Sequence, residues 1–277
     1  MAIDSWASLE TCFQVSTIAI ALWGIISAAE WMANLRIFRP TGLLTWSILG
    51  LRGSPVNRSR LAEGLASPTG VSCFLGVRLV AASALIFSPT PVVSASLLAI
   101  ILVTCAYVTH RTCFGGDGSD QMGAVLGAGT FLMGLGIVFH DRALSHSGVF
   151  LIAGQASISY FVAGAAKLVS STWRSGRALS GVMNTQTYGH AVAGHISIER
   201  PGFCALFCWT IILTEMAFPV LLVLPKDLLF FGLAGFALFH LSNAVFMGLN
   251  VFVIAFIGTY PAVIYANTLL RAALTNY

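Results

Sequence analysis

The chain has 277 residues, 57% of them hydrophobic and only 9% charged, with a formal net charge of +4 and a mean hydropathy of +0.87. Soluble domains carry roughly 25% charged residues, so this composition excludes a soluble enzyme and gives no support to a nucleic-acid site. Lipid-exposed backbone must satisfy its own hydrogen bonds and alternating ten-residue strands are absent, so the expected fold class is all-α, a polytopic transmembrane helical bundle in a lipid bilayer.

The N-terminal stretch carries only Asp4 and Glu10 as early charges. It lacks the basic region and cleavage site of a secretory signal peptide, so the first apolar run is expected to be retained, with a span over 12–29. Residues 30–70 follow, with Arg36, Arg39, Arg52, Arg58 and Arg60 around an apolar patch at 43–51 that is too short to cross a membrane. This segment reads as an interfacial or re-entrant helix, and its five arginines against Glu30 and Glu63 put it on the cytoplasmic side.

Spans at 71–87 and 92–109 are joined by the tight hairpin Ser88-Pro89-Thr90-Pro91. In the next loop, Gly115-Gly116-Asp117-Gly118-Ser119-Asp120-Gln121, the glycines free the backbone and Ser119 and Asp120 are available to cap the span at 122–139. A fifth span covers 149–168, and the polar stretch 170–201 is expected to hold one short surface helix. The sixth span, 203–224, ends at Pro225-Lys226-Asp227. Residues 228–270 are too long for one crossing and divide into two spans hinged near Gly248-Leu249-Asn250. The total is eight spans, with seven the alternative count, in a single integral membrane domain over 1–277. With the 30–70 loop inside, eight spans put both termini outside and Lys167 towards the cytoplasm.

Lys167 places an ammonium near the end of a helix otherwise built for lipid, where a charge costs about 2.5–3.5 kcal/mol on insertion scales. It either snorkels its head to the interface or is held neutral by the low dielectric and serves as a base. Glu215, inside the sixth span, must be protonated or paired, and Lys167 and His240 are the candidate partners. His240 and Asn243, one turn apart, either hydrogen-bond between helices or orient a substrate oxygen.

Two runs bear on this choice. Tyr160-Phe161-Val162-Ala163-Gly164-Ala165-Ala166-Lys167-Leu168, followed by Trp173 and Gly176, and the later Phe239-His240-Leu241-Ser242-Asn243, followed by Pro261, resemble in the same order two helix motifs of the HTTM (horizontally transferred transmembrane) family. That family includes the vitamin K-dependent gamma-glutamyl carboxylase. The resemblance implies that Lys167 is a base that deprotonates a reduced, vitamin K-like quinone, after which oxygen and carbon dioxide chemistry follows on a glutamate. It implies catalytic roles for Lys167, His240, Asn243 and Glu215, and substrate or cofactor contacts for Tyr160, Trp173, Asp117, Asp120 and Gln121. Ala166 stands where the carboxylase has a second lysine, and glycine and aspartate stand where it has a histidine, which puts glutamate carboxylation itself in question.

The resemblance implies a compact module without the large extramembrane docking domain of the carboxylase. The substrate is therefore expected to be small and lipid-soluble, or a peptide presented by a partner protein. The alternative is the role implied by bacterial members of the family, a non-catalytic maturation or export factor for a secreted peptide.

Two places invite a metal. The Asp117/Asp120 loop fits no EF-hand spacing and reads as a capped turn. His190, His195, Cys204 and Cys208 match no recognised ligand spacing, so no metal is expected. The six cysteines are expected to be mostly buried apolar residues.

Overall fold

The computed structural model describes residues 8–52, 59–88, 90–113 and 116–275. Asp4, Arg58, Pro89 and Gly115 of the sequence reading lie outside these. The described residues are helical, without strands. Among the described residues, eight helical segments are long and apolar enough to cross a membrane: Leu9–Ala33, Pro68–Ile86, Pro91–Thr112, Gly118–Val138, Arg142–Val169, Pro201–Leu222, Lys226–Met247 and Asn250–Thr275. The all-α polytopic class and the count of eight therefore stand, with span ends moved by a few residues.

We number the α-helices α1 (Leu9–Ala33), α2 (Trp46–Leu49), α3 (Arg60–Ala66), α4 (Pro68–Ile86), α5 (Pro91–Thr112), α6 (Gly118–Val138) and α7 (Arg142–Val169). The rest are α8 (Ser171–Arg174), α9 (Arg177–Met183), α10 (Ala191–Glu199), α11 (Pro201–Ala217), α12 (Lys226–Met247), α13 (Asn250–Ile257) and α14 (Tyr260–Thr275). Local chemistry fixes many of the starts. Ser67 and Thr90 accept from Gly70 N at 3.1 Å and Val93 N at 3.3 Å, each with a proline at the first helical position, where its missing N–H costs nothing. The expected hinge is present: α12 stops at Gly248, whose φ of 71° is left-handed. The eighth span is itself broken between α13 and α14, just before Pro261, which could not continue the α13 ladder.

The chain divides into two compact units, Leu9–Val149 and Phe150–Tyr277. In the first, α1 packs on α4 and α6, and α5 packs on the same two helices. Four helices thus close around buried Ile20, Trp23, Leu75, Leu98, Ile101 and Leu126. Between lipid-soluble helices the cohesion comes from packing and polar contacts rather than from exclusion of water.

The 30–70 stretch differs from expectation. In place of one interfacial helix it holds 3-10 turns at Leu35–Phe38 and Gly50–Arg52, the single turn α2 and the short α3. Pro40, Gly42 and Gly50 interrupt the backbone and prevent a longer helix.

In the second unit, 170–201 holds three short helices, α8 to α10, where one was expected. Gly176, with φ of 79°, separates α8 from α9, and the His190 side chain accepts from Ala193 N to start α10. Helices α8, α9 and α10 all pack on α11. Cys12, Cys105, Cys204 and Cys208 are buried as expected, while Cys73 and Cys113 are exposed.

Candidate functional site

The second unit brings together most of the residues that the sequence singled out. On α7, Tyr160 and Lys167 are seven residues apart, two helical turns, which puts them on one face about 10 Å apart along the axis. Gly164 lies between them, on the same face. A methyl group there would stand 2.8 Å from the backbone nitrogen of Met216 and 3.0 Å from the carbonyl oxygen of Ile212. Only glycine therefore allows α11 to approach this closely. That approach delivers Glu215: Lys167 Nζ lies 2.6 Å from Oε2 and 2.9 Å from Oε1. Of the two partners that were open for Glu215, the structure selects Lys167.

The chain beyond α7 folds back to complete this corner. Arg174 donates to the carbonyls of Leu168 at 2.7 Å and Val169 at 3.0 Å, satisfying orphan acceptors at the end of α7. Trp209 Nε1 in turn donates to Arg174 O at 3.2 Å. Gly176 combines its left-handed φ with a position where a Cβ would meet Ala205 N at 2.5 Å, so any other residue there would be both strained and obstructed. The turn so formed places the Trp173 ring 5.1 Å from Lys167 Nζ, within cation–π range. The lysine side chain remains 19% exposed.

Two turns earlier, Tyr160 is buried. Its hydroxyl lies 2.5 Å from His240 Nε2 on α12. The phenol ring stacks on Phe218 at 4.1 Å and tilts against Phe236 at 4.7 Å, while Phe256 stacks on His240 at 4.6 Å. His240 Nδ1 is buried without a hydrogen bond among the described residues. The buried Tyr260 hydroxyl is a polar neighbour of Tyr160. Asn243 is half-buried near the end of α12, where its backbone carbonyl receives Gly248 N–H and Leu249 N–H. It takes no part in the Tyr160–His240 bond.

No family model, curated protein or solved structure matches the chain.

Asp117, Asp120 and Gln121 belong to the first unit. Asp117, rather than Ser119 or Asp120, caps α6, with its Oδ1 accepting from Ser119 N at 2.8 Å, Ser119 Oγ at 2.6 Å and Asp120 N at 3.0 Å. The capping side chain must precede the donors it satisfies, and Ser119 and Asp120 supply those donors. Asp120 lines a cavity of about 20 Å³ with Arg78 and Trp23, and Gln121 is exposed. The histidines and cysteines of 190–208 are engaged separately: His190 caps α10, His195 faces Glu199 at 3.1 Å on the surface, and Cys204 Sγ contacts Ser197 O at 3.4 Å.

Sequence reasoning overlooked several residues that complete these arrangements. Tyr260 and the Phe218, Phe236 and Phe256 cage had no distinguishing pattern in an apolar chain. Arg78 did have one, since a charge midway along a span is a functional or structural signal by default.

Proposed function

We propose that the chain is an integral membrane enzyme of HTTM type whose Lys167–Glu215 pair takes a proton from a weakly acidic, lipid-soluble substrate of the hydroquinone class. The observation that carries the reading is that the marked positions of two separate sequence motifs meet in one unit. Tyr160 joins His240, Gly164 admits Glu215 to Lys167, and Gly176 turns Trp173 over the lysine.

An amine and a carboxyl group in contact are together neutral whether the shared proton lies on nitrogen or on oxygen, so burying them together is tolerable where burying either charge alone is not. With the proton on Glu215, the Lys167 amine accepts the substrate's hydroxyl proton. The ammonium formed and the substrate anion then cancel. A bound hydroquinone would supply the oxygen-reactive anion. The surroundings suit it: the Trp173 ring offers a flat face beside a partly exposed nitrogen, and the buried Tyr160–His240 bond holds α7 and α12 in register.

Lys167→Arg tests the reading. Arginine keeps the positive charge and the carboxylate contact but cannot be deprotonated in proteins. Purified protein in lipid nanodiscs supplied with a reduced naphthoquinone should consume it with oxygen uptake, and Lys167→Arg should abolish this while leaving the unfolding temperature near that of the parent. Full retention of turnover by Lys167→Arg would refute the proton-accepting role.

One observation favours the second reading, a non-catalytic maturation or export factor for a secreted peptide: both Glu215 oxygens already hold the Lys167 nitrogen, as in a purely structural pair. On that reading there is no quinol turnover, Lys167→Arg is silent, and the protein co-purifies with a peptide or protein partner.

A further inference from the structure

We infer that residues 34–52 and 59–66 form a preassembled cationic platform that binds the anionic phosphate headgroups of the leaflet in which it lies. The segment leaves the membrane at the end of α1 and re-enters at the start of α4, and α1 and α4 pack against each other, so its two ends share one membrane face. Its described helical pieces, none longer than seven residues, are far too short to cross a bilayer.

The inner side of the segment is fixed to the four-helix core. Phe38 is buried against Val71, Leu75 and Val108, and Leu49 is buried as well. The end of α5 clamps it at four points. Arg111 Nε donates to the carbonyl of Ala66 at 2.8 Å and Tyr107 Oη to that of Leu65 at 2.7 Å, which satisfies acceptors left open where α3 ends. The Arg111 guanidinium also lies 4.8 Å from the Phe38 ring and 5.3 Å from the Trp46 ring. Its two terminal nitrogens have no hydrogen-bond partner among the described residues, so its charge adds to the field of the platform.

The outer side combines two kinds of group. Leu43 and Leu61 are 90% and 74% exposed, and Ile48 and Leu51 are also largely uncovered. Arg36, Arg39 and Arg60 are exposed in the same described stretches, whose one acid is the exposed Glu63, with exposed Glu30 just before them at the end of α1. Aliphatic side chains interspersed with guanidinium groups, held at a membrane face, match a surface whose acyl boundary lies beneath anionic phosphates. Guanidinium groups also pair with phosphate through two parallel hydrogen bonds.

The test uses the whole purified protein in detergent, titrated with phosphatidylglycerol or with phosphatidylcholine of the same acyl chains and read by native mass spectrometry. Phosphatidylglycerol should be retained more tightly. Each arginine near the surface contributes about a fivefold factor, so R36Q/R39Q/R60Q should lose up to about 100-fold of that preference, with no shift in unfolding temperature. The preference should also weaken as salt is raised. Should the triple variant fail to fold, the three single variants must each lose part of the preference. Equal retention of the two lipids, a preference untouched by the substitutions, or displacement of the lipid by free glycerol phosphate would each overturn the inference. A nitroxide on Leu43→Cys in a Cys73→Ser/Cys113→Ser background gives an independent reading. It should report apolar, oxygen-accessible surroundings in nanodiscs, and aqueous surroundings would count against the platform.

Discussion

Arg78 of the first unit and Lys167 of the second are both cations on membrane-spanning helices, and each lies by a tryptophan ring, yet the rest of their surroundings differ. Arg78 stands midway along α4 and is 1% exposed. Its Nε and one terminal nitrogen donate to Thr104 Oγ1 and Ser27 Oγ, both at 3.1 Å, and its guanidinium lies 5.6 Å from the Trp23 ring. Its contacts are thus hydroxyls and an aromatic face from α1 and α5, and Asp120 reaches it only across a small cavity. Lys167 is near a helix end, partly exposed, and held directly by a carboxylate. A guanidinium is permanently charged and has its donors fixed in a plane, which suits a cross-link among three helices. An amine beside a carboxylate can pass its proton and still leave a neutral pair. The first unit therefore uses its buried cation to hold helices together, and the second pairs its cation directly with a carboxylate at a helix end.

The comparison is most vulnerable at Arg78. Arg78→Ala empties a fully buried site, removes the donors to Ser27 and Thr104, and deprives Asp120 of the opposing charge across the cavity. The expected cost is about 3–5 kcal/mol, read as a large drop in unfolding temperature of the purified protein. Arg78→Lys should recover little, because a single ammonium cannot span two hydroxyls on different helices. If Arg78→Ala changed stability by less than about 1 kcal/mol, the cross-link assignment would fail.

At the other pole, Glu215→Ala leaves Lys167, among the described residues, with the Trp173 face. Breaking a buried pair costs about 3–5 kcal/mol, and partial exposure of the lysine reduces this to roughly 2–3 kcal/mol. The double variant Lys167→Met/Glu215→Leu should regain most of that loss, since an apolar pair of similar volume needs no desolvation. On the proposed function, quinol turnover should be lost in both variants. A double-mutant cycle with no coupling between the two positions would show that the contact is energetically idle.

The contrast between the cations also explains what could be read in advance. Eight spans, the hinge at Gly248 and the intramembrane placement of Lys167 and Glu215 all follow from apolar run length, glycine chemistry and the cost of charge in hydrocarbon. The choice between Lys167 and His240 as partner of Glu215 did not follow, because it depends on how closely α7 and α11 approach, and that depends on a single missing methyl at Gly164. The Tyr160–His240 bond joins residues 80 positions apart, and no local periodicity encodes such a pairing. Asp117, Asp120 and Gln121 are grouped by composition alone, and the backbone separates them: Asp117 caps a helix, Asp120 walls a cavity and Gln121 faces outward. The breakup of the stretch after α1 was signalled by Pro40, Gly42 and Gly50, which weigh more than an apolar patch of nine residues at 43–51.

Gly164→Ala isolates the geometric element of the second unit. The added methyl would push against the backbone of Met216 and Ile212 as well as the Met216 side chain, so α7 and α11 must separate by several tenths of an ångström or more. Overpacking of this kind costs about 1–3 kcal/mol. Because the Lys167–Glu215 contact depends on the same approach, Gly164→Ala should also weaken the coupling measured between those two residues. An unchanged coupling would mean that the pair does not need the close crossing.

The smallest expected effect separates two explanations of Trp173. If the indole only packs against the end of α7, Trp173→Phe and Trp173→Leu should cost about the same, each in proportion to the area lost. If the ring face steadies the ammonium, phenylalanine keeps part of the interaction and leucine none, a difference of about 0.5–1 kcal/mol. That difference must then vanish in a Lys167→Met background, where there is no cation to steady. Measuring both substitutions in both backgrounds removes the packing contribution, because the area lost is the same whether or not residue 167 is charged. A gap between phenylalanine and leucine that persisted in the Lys167→Met background would assign Trp173 to packing, and Lys167 would then be held by Glu215 alone.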